Sequence, residues 1–144
     1  TITKNQNGEL QVSKPSIKIV SNFNNSTENY TSESFNNGTI FRTTSPTALV
    51  VESGDDEFEQ QDATKSFDSV SAQKVEIDFS ARICNQGNGE ISVNNNTIFT
   101  KNDPRSEFQT SGTLETSINS LSSIRIETDG GFNDSGVSFR ASVV

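Results

Sequence analysis

Six asparagines stand in the pattern N-x-[ST] with no proline in the middle: Asn24, Asn25, Asn29, Asn37, Asn95 and Asn133. The pattern is the acceptor for N-linked glycosylation, a modification that needs an exposed loop in a secreted chain. Three of the six crowd into residues 24–31, and Asn24 and Asn25 are too close to be modified together. The competing reading is compositional, because the chain holds 16 Asn, 22 Ser and 15 Thr in 144 residues. A second group is the acid-rich stretch Glu52, Asp55, Asp56, Glu57, Glu59 and Asp62 around Gly54. Closely spaced carboxylates ligate calcium through oxygen, but this spacing matches no EF-hand loop and Phe58 interrupts it. It reads as a solvated acidic loop. The lone Cys84 closes a strand pattern and reads as a small structural hydrophobe.

The missing residues are as informative. With no His, Met or Trp, the chain has no Ser-His-Asp or Cys-His constellation and no His-ligated metal. A carboxylate pair could hydrolyse a glycosidic bond, but no two of the nineteen acids are singled out. The expectation is therefore a non-enzyme with no catalytic residue, no metal site and no cofactor. Sugar stacking is thinly provided for as well, since Tyr30 is the sole tyrosine and the ten Phe mostly alternate like core residues.

The elements that position these residues are strands. Val75, Ile77, Phe79 and Ala81 alternate with Glu76, Asp78, Ser80 and Arg82 up to Ile83. Residues Ile124–Thr128 and the run Val137, Phe139, Ala141, Val143 alternate in the same way. Each predicts a strand with one buried and one wet face. Shorter candidates are Leu10–Val12, Ile17–Val20, Thr39–Thr43, Thr47–Glu52, Glu90–Val93, Thr97–Thr100, Glu107–Thr110 and Thr113–Ile118. Asn- and Gly-rich turns separate them, as at Asn36-Asn37-Gly38 and Asp129-Gly130-Gly131. About ten strands at this spacing, with no helical periodicity, predict an all-β fold: an antiparallel two-sheet sandwich of jelly-roll type. Residues 21–144 form the single sandwich domain in this reading. Residues 1–20 are either its first strand or an extended arm given to a neighbouring subunit, with Pro15 marking the bend.

The C-terminal half resembles extracellular jelly-roll modules of the CUB or carbohydrate-module kind. The likeness rests on Val75-Glu76-Ile77-Asp78-Phe79, Glu90-Ile91-Ser92-Val93, Ser123 through Asp129, and Gly136-Val137-Ser138-Phe139-Arg140-Ala141. Cys84 has no partner for the disulfides usual in CUB modules, and of their acidic calcium cluster only Asp129 has a counterpart. The resemblance implies an extracellular recognition or adhesion scaffold and transfers no site.

Hydrophobic residues make up 29% and the net charge is −8, the wrong sign for a phosphate backbone, so nucleic acid is excluded as a partner. No run of 18 apolar residues spans a membrane. The start Thr1-Ile2-Thr3 fits a removed signal or an excised fragment. The leading expectation is a secreted, glycosylated structural subunit of a filament, pilus-like fibre or coat. Its partners would be copies of itself, joined by strand addition of the arm, with an edge beside Val137–Val144 as one candidate receptor. The alternative is a surface adhesion or glycan-recognition module of a larger protein, which an exposed aromatic cluster would favour.

Overall fold

A computed structural model describes residues 2–12, 18–54 and 59–144. Its strands are β1 (Ile2–Lys4), β2 (Leu10–Val12), β3 (Lys18–Ser21), β4 (Thr39–Thr44), β5 (Thr47–Glu52) and β6 (Gln60–Ser71). They continue with β7 (Lys74–Ile83), β8 (Asn88–Val93), β9 (Asn96–Asn102), β10 (Phe108–Ser117), β11 (Ser120–Asp129) and β12 (Gly136–Val143). Among the described residues there is no helix.

Two antiparallel sheets face each other. The front sheet runs β10-β7-β12-β5-β4, and β3 joins β12 beyond the end of β5. The back sheet runs β6-β11-β8-β9. Alternation decides which side chains enter the core. Val75, Ile77, Ala81 and Ile83 of β7 and Val137, Phe139, Ala141 and Val143 of β12 are buried against Ile91, Val93, Leu121, Ile124 and Ile126 of the back sheet. At about 25 cal/mol per Å² of apolar surface removed from water, this layer is the main source of stability. The crossover after β3 adds Phe23 and Tyr30, whose rings stand 5.2 and 5.3 Å from that of Phe139. The Tyr30 hydroxyl meets Ser21 Oγ at 2.9 Å, and burial pushes its pKa well above the ordinary value.

Three expectations are corrected. The acid-rich stretch is not wholly a solvated loop: Asp62 is fully buried inside β6, while Asp55 to Phe58 lie outside the described residues. Strand β6 escaped the periodicity because both of its faces are covered at residues 61–64. One packs on the core, and the other lies under residues 31–36, bridged at Thr31–Thr64 and Asn36–Gln61. The expected strands 107–110 and 113–118 merge into one strand, β10 (Phe108–Ser117), whose pairing with β7 runs unbroken through Gly112. Strand β12 is paired on both sides in this chain, by β7 on one and by β5 and β3 on the other, and β3 comes from the segment expected to form the arm.

The N-terminal segment divides in two. Strand β3 pairs with β12 of its own chain, whereas among the described residues β1 and β2 pair with each other alone. Ile2 and Leu10 of that hairpin are 70% and 71% exposed. Pro15 and Ile17 lie outside the described residues.

Candidate functional site

The solvent face of the front sheet is built by the even-numbered residues of β7. Pointing Ile77 and Ala81 inward turns Asp78, Ser80 and Arg82 outward. Register then supplies their neighbours. Ser111 and Ser138 flank Ser80, Thr113 and Arg140 flank Asp78, and Gln109 and Gly136 flank Arg82. Beyond Ser138 the same row continues through Val50 to Phe41. From β10 to β4 the row crosses four strand spacings, about 19 Å.

Two shallow depressions on this face meet at Ser80. One, of about 310 Å³, is lined by Ser80, Arg82, Gln109 and Ser111 among others. The other, of about 170 Å³, lies between the Pro46–Ala48 turn and the Asp78, Ser138 and Arg140 side chains. Hydroxyl groups supply much of the floor, and each both donates and accepts. Asp78 is held in place by the Thr113 hydroxyl (2.7 Å) and Arg140 Nε (3.2 Å). Arg82 is held by Asp134 (2.8 Å) and Glu107 (3.3 Å), and Gln109 donates to that Glu107 at 2.8 Å. Lys74 is paired with Glu76 (2.9 Å) and Glu115 (3.5 Å). The hydrogen bond to Asp134 raises the Arg82 pKa above its ordinary value against partial burial, and the bond to Glu76 raises that of Lys74. Lys74, Arg82 and Arg140 are thus each paired with at least one carboxylate.

Aromatic placement departs from the sequence reading. Tyr30, the residue with the chemistry for stacking, is 4% exposed and belongs to the core. Two phenylalanines face solvent instead, Phe41 at 39% and Phe132 at 67%. Among the described residues the remaining large exposed hydrophobics are Ile2 and Leu10 of the hairpin. Phe132 has a signal in the sequence that strand periodicity passes over: it is a large apolar residue inside the turn-forming run Gly130-Gly131-Phe132-Asn133-Asp134.

The six sequon asparagines are scattered rather than gathered into a site. Asn24, Asn25 and Asn29 lie between β3 and residue 30, Asn37 before β4, Asn95 in the β8–β9 turn and Asn133 before β12. All six are exposed and outside strands, and none stands in the rows of the front face. On the back sheet, a depression of about 270 Å³ is lined by Asn88, Glu90, Asn102, Glu127 and Asp129. Its acids have protein partners: Asn88 and Gln60 donate to Asp129, Ser92 and Thr97 to Glu90, and Arg125 to Glu127. Among the described residues no group of three or more His, Cys, Asp or Glu could hold a metal ion. Cys84 is buried and unpaired, its Sγ accepting from Gly131 N (2.9 Å) and Ser135 Oγ (3.3 Å).

No protein-family model matches the chain, and no curated protein matches it in sequence. Solved structures do. A family 29 carbohydrate-binding module variant complexed with mannohexaose superposes with a TM-score of 0.56 at 11% identity, covering 91% of this chain and 92% of that one. A variant complexed with cellulohexaose gives 0.53 at 11% identity, covering 89% of each. Another, described simply as a family 29 module, gives 0.53 at 11% identity over 89% of this chain and 87% of that one. The likeness spans most of the chain and not just its C-terminal half. At such identity it establishes a common fold: the chain has the β-sandwich architecture of carbohydrate-binding modules.

Proposed function

We propose that the chain is a non-catalytic glycan-recognition module that lays a neutral oligosaccharide across its front sheet. The observation that carries this reading is the pair of depressions joined at Ser80 and floored by hydroxyls, with the exposed ring of Phe41 two strands beyond Ser138 in the same row. Sugar rings present hydroxyls for the first and C–H faces for the second. Charge argues for a neutral ligand, because Lys74, Arg82 and Arg140 are each neutralised on the spot while the chain carries −8 overall. The similar structures in complex with mannohexaose and cellulohexaose support the same class of ligand. Of the two functions expected from sequence, this one has support from the fold. A filament joined at β12 has none, because that strand is already paired on both sides.

Calorimetry with mannohexaose and cellulohexaose tests the reading. The wild-type chain should bind at least one, with affinity unchanged between low and high salt. Ser80→Trp, which fills the junction of the two depressions, should abolish binding without lowering Tm. Absence of binding to both sugars, or full binding by Ser80→Trp, would overturn the proposal. An extracellular setting belongs to the same reading, with N-glycans on exposed Asn24 or Asn25, Asn29, Asn37, Asn95 and Asn133.

A further inference from the structure

The loop between β11 and β12 is fastened with unusual thoroughness for a segment at the surface. Gly130 N donates to Glu59 O (2.9 Å), Gly131 N to Cys84 Sγ (2.9 Å) and Phe132 N to Asn85 O (3.0 Å). At its far end, Ser135 N donates to Ser53 Oγ (2.8 Å) and Ser53 N donates back to Ser135 O (2.9 Å). Ser135 Oγ accepts from Cys84 N (3.1 Å) and donates to Cys84 Sγ (3.3 Å). A Cβ on Gly131 would sit 2.2 Å from Asn85 O, so the loop lies directly on the turn that leaves β7. Yet this loop carries Phe132 with two thirds of its surface in water. On a mobile tip an exposed aromatic would call for no explanation. On a backbone fixed at nearly every residue it is a preorganised contact, whose ordering cost is met before any partner arrives.

Its position names the partner. Asp134, two residues on, holds Arg82 at 2.8 Å, and Arg82 lines the larger depression of the front face. Asn85, which receives the Phe132 amide, lies three residues beyond Arg82 on the same chain segment. The loop therefore adjoins the front face at the Arg82 end, as Phe41 borders it at the β4 edge.

We infer that Phe132 is a ligand-contacting residue that extends the oligosaccharide site past Arg82, with buried Cys84 and Ser135 as the positioning residues that hold its loop. The inference rests on the glycan-recognition reading and adds a specific contact to it. The chain has no tryptophan, so Phe132→Trp installs a single fluorescent reporter at the position in question. Titrated with mannohexaose and cellulohexaose, Phe132→Trp should keep wild-type affinity and change its emission saturably. Phe132→Ala should bind the same sugar about tenfold more weakly with an unaltered Tm. Cys84→Ala, which removes the acceptor shared by the Gly131 amide and the Ser135 hydroxyl and leaves Gly131 N its longer bond to Asn133 O (3.2 Å), should weaken binding less, and Cys84→Ser, which restores a smaller acceptor, should recover part of it. If the wild-type chain binds neither sugar, the glycan reading itself fails and this contact with it. If the wild type binds but Phe132→Ala binds equally well and the Phe132→Trp emission stays silent, the contact alone is overturned.

Discussion

Asp62 shows how much one side chain can organise in a chain with so little hydrophobic surface. Its fully buried carboxylate accepts the backbone amides of Phe35 (2.9 Å), Ser34 (3.2 Å) and Glu33 (3.4 Å), and Arg125 stands 3.4 Å away. Beside it, Gln61 Oε1 accepts from both the Asp62 amide and the Ser32 hydroxyl. The segment over β6 is thus tied down by polar groups where an ordinary sandwich would use apolar ones. Removing the carboxylate takes the charged acceptor from three backbone amides and one of two facing carboxylates from Arg125, which keeps Glu127. Asp62→Ala should therefore cost about 3–5 kcal/mol. Thermal melting should show this as a Tm lower by more than about 10 °C. Asp62→Asn, which keeps one acceptor oxygen, should fall between. A Tm within a few degrees of wild type for Asp62→Ala would mean that the segment is held by the Thr31 and Asn36 bridges instead.

At the scale of elements, the two parts of the N-terminal segment should behave differently on truncation. Among the described residues the β1–β2 hairpin pairs only with itself, and a two-stranded ribbon contributes little stability of its own. Strand β3 fills part of the β12 edge, and its last residue, Ser21, is the partner of the Tyr30 hydroxyl. Deleting residues 1–12 should leave the urea midpoint unchanged, whereas deleting residues 1–21 should unpair β12, orphan Tyr30 and lower the midpoint sharply. Equal loss from both deletions, followed by circular dichroism, would assign the hairpin a place in the sandwich. The turn between β8 and β9 shows the opposite economy. Asn94, at φ 51°, uses its Oδ1 to accept from Ser122 N, Ser122 Oγ and Ser123 N, and its Nδ2 donates to Ser120 O. One turn residue thereby locks the start of β11.

For the whole molecule, the distribution of sequons complements that of the candidate site. All six acceptor asparagines are exposed and none stands in the rows of the front face, so glycans on them would leave Ser80 uncovered, while one on Asn133, between Phe132 and Asp134, would crowd the Arg82 end. Native material should run heavier than the 15.7 kDa chain and lose the excess on enzymatic deglycosylation. Sugar binding by the front face should survive that treatment. An intact mass equal to the bare chain would reduce the sequons to a consequence of Asn, Ser and Thr abundance.

Alternation makes most strands legible in the amino-acid order: Thr47–Glu52 matches β5 residue for residue, and Val75–Ile83 falls within β7. The reason is that a strand with one dry and one wet face writes its burial into every second residue. Where burial has another cause, that signal vanishes. Gln61, Asp62 and Thr64 are buried because a distant segment covers them, and no local period records that. The outward residues of β7 are equally legible, but their neighbours are not. Ser111 and Ser138 come beside Ser80, and Val50 and Phe41 into the same row beyond Ser138, from strands 30 or more residues away, and register is a property of the sheet. Amino-acid order thus carries the fold class, the inner and outer faces of the regular strands and the lack of histidine chemistry. That Tyr30 is core, that Phe41 and Phe132 face solvent, and that the hydroxyls meet on one face come from packing and register, because each depends on contacts between segments far apart in the chain.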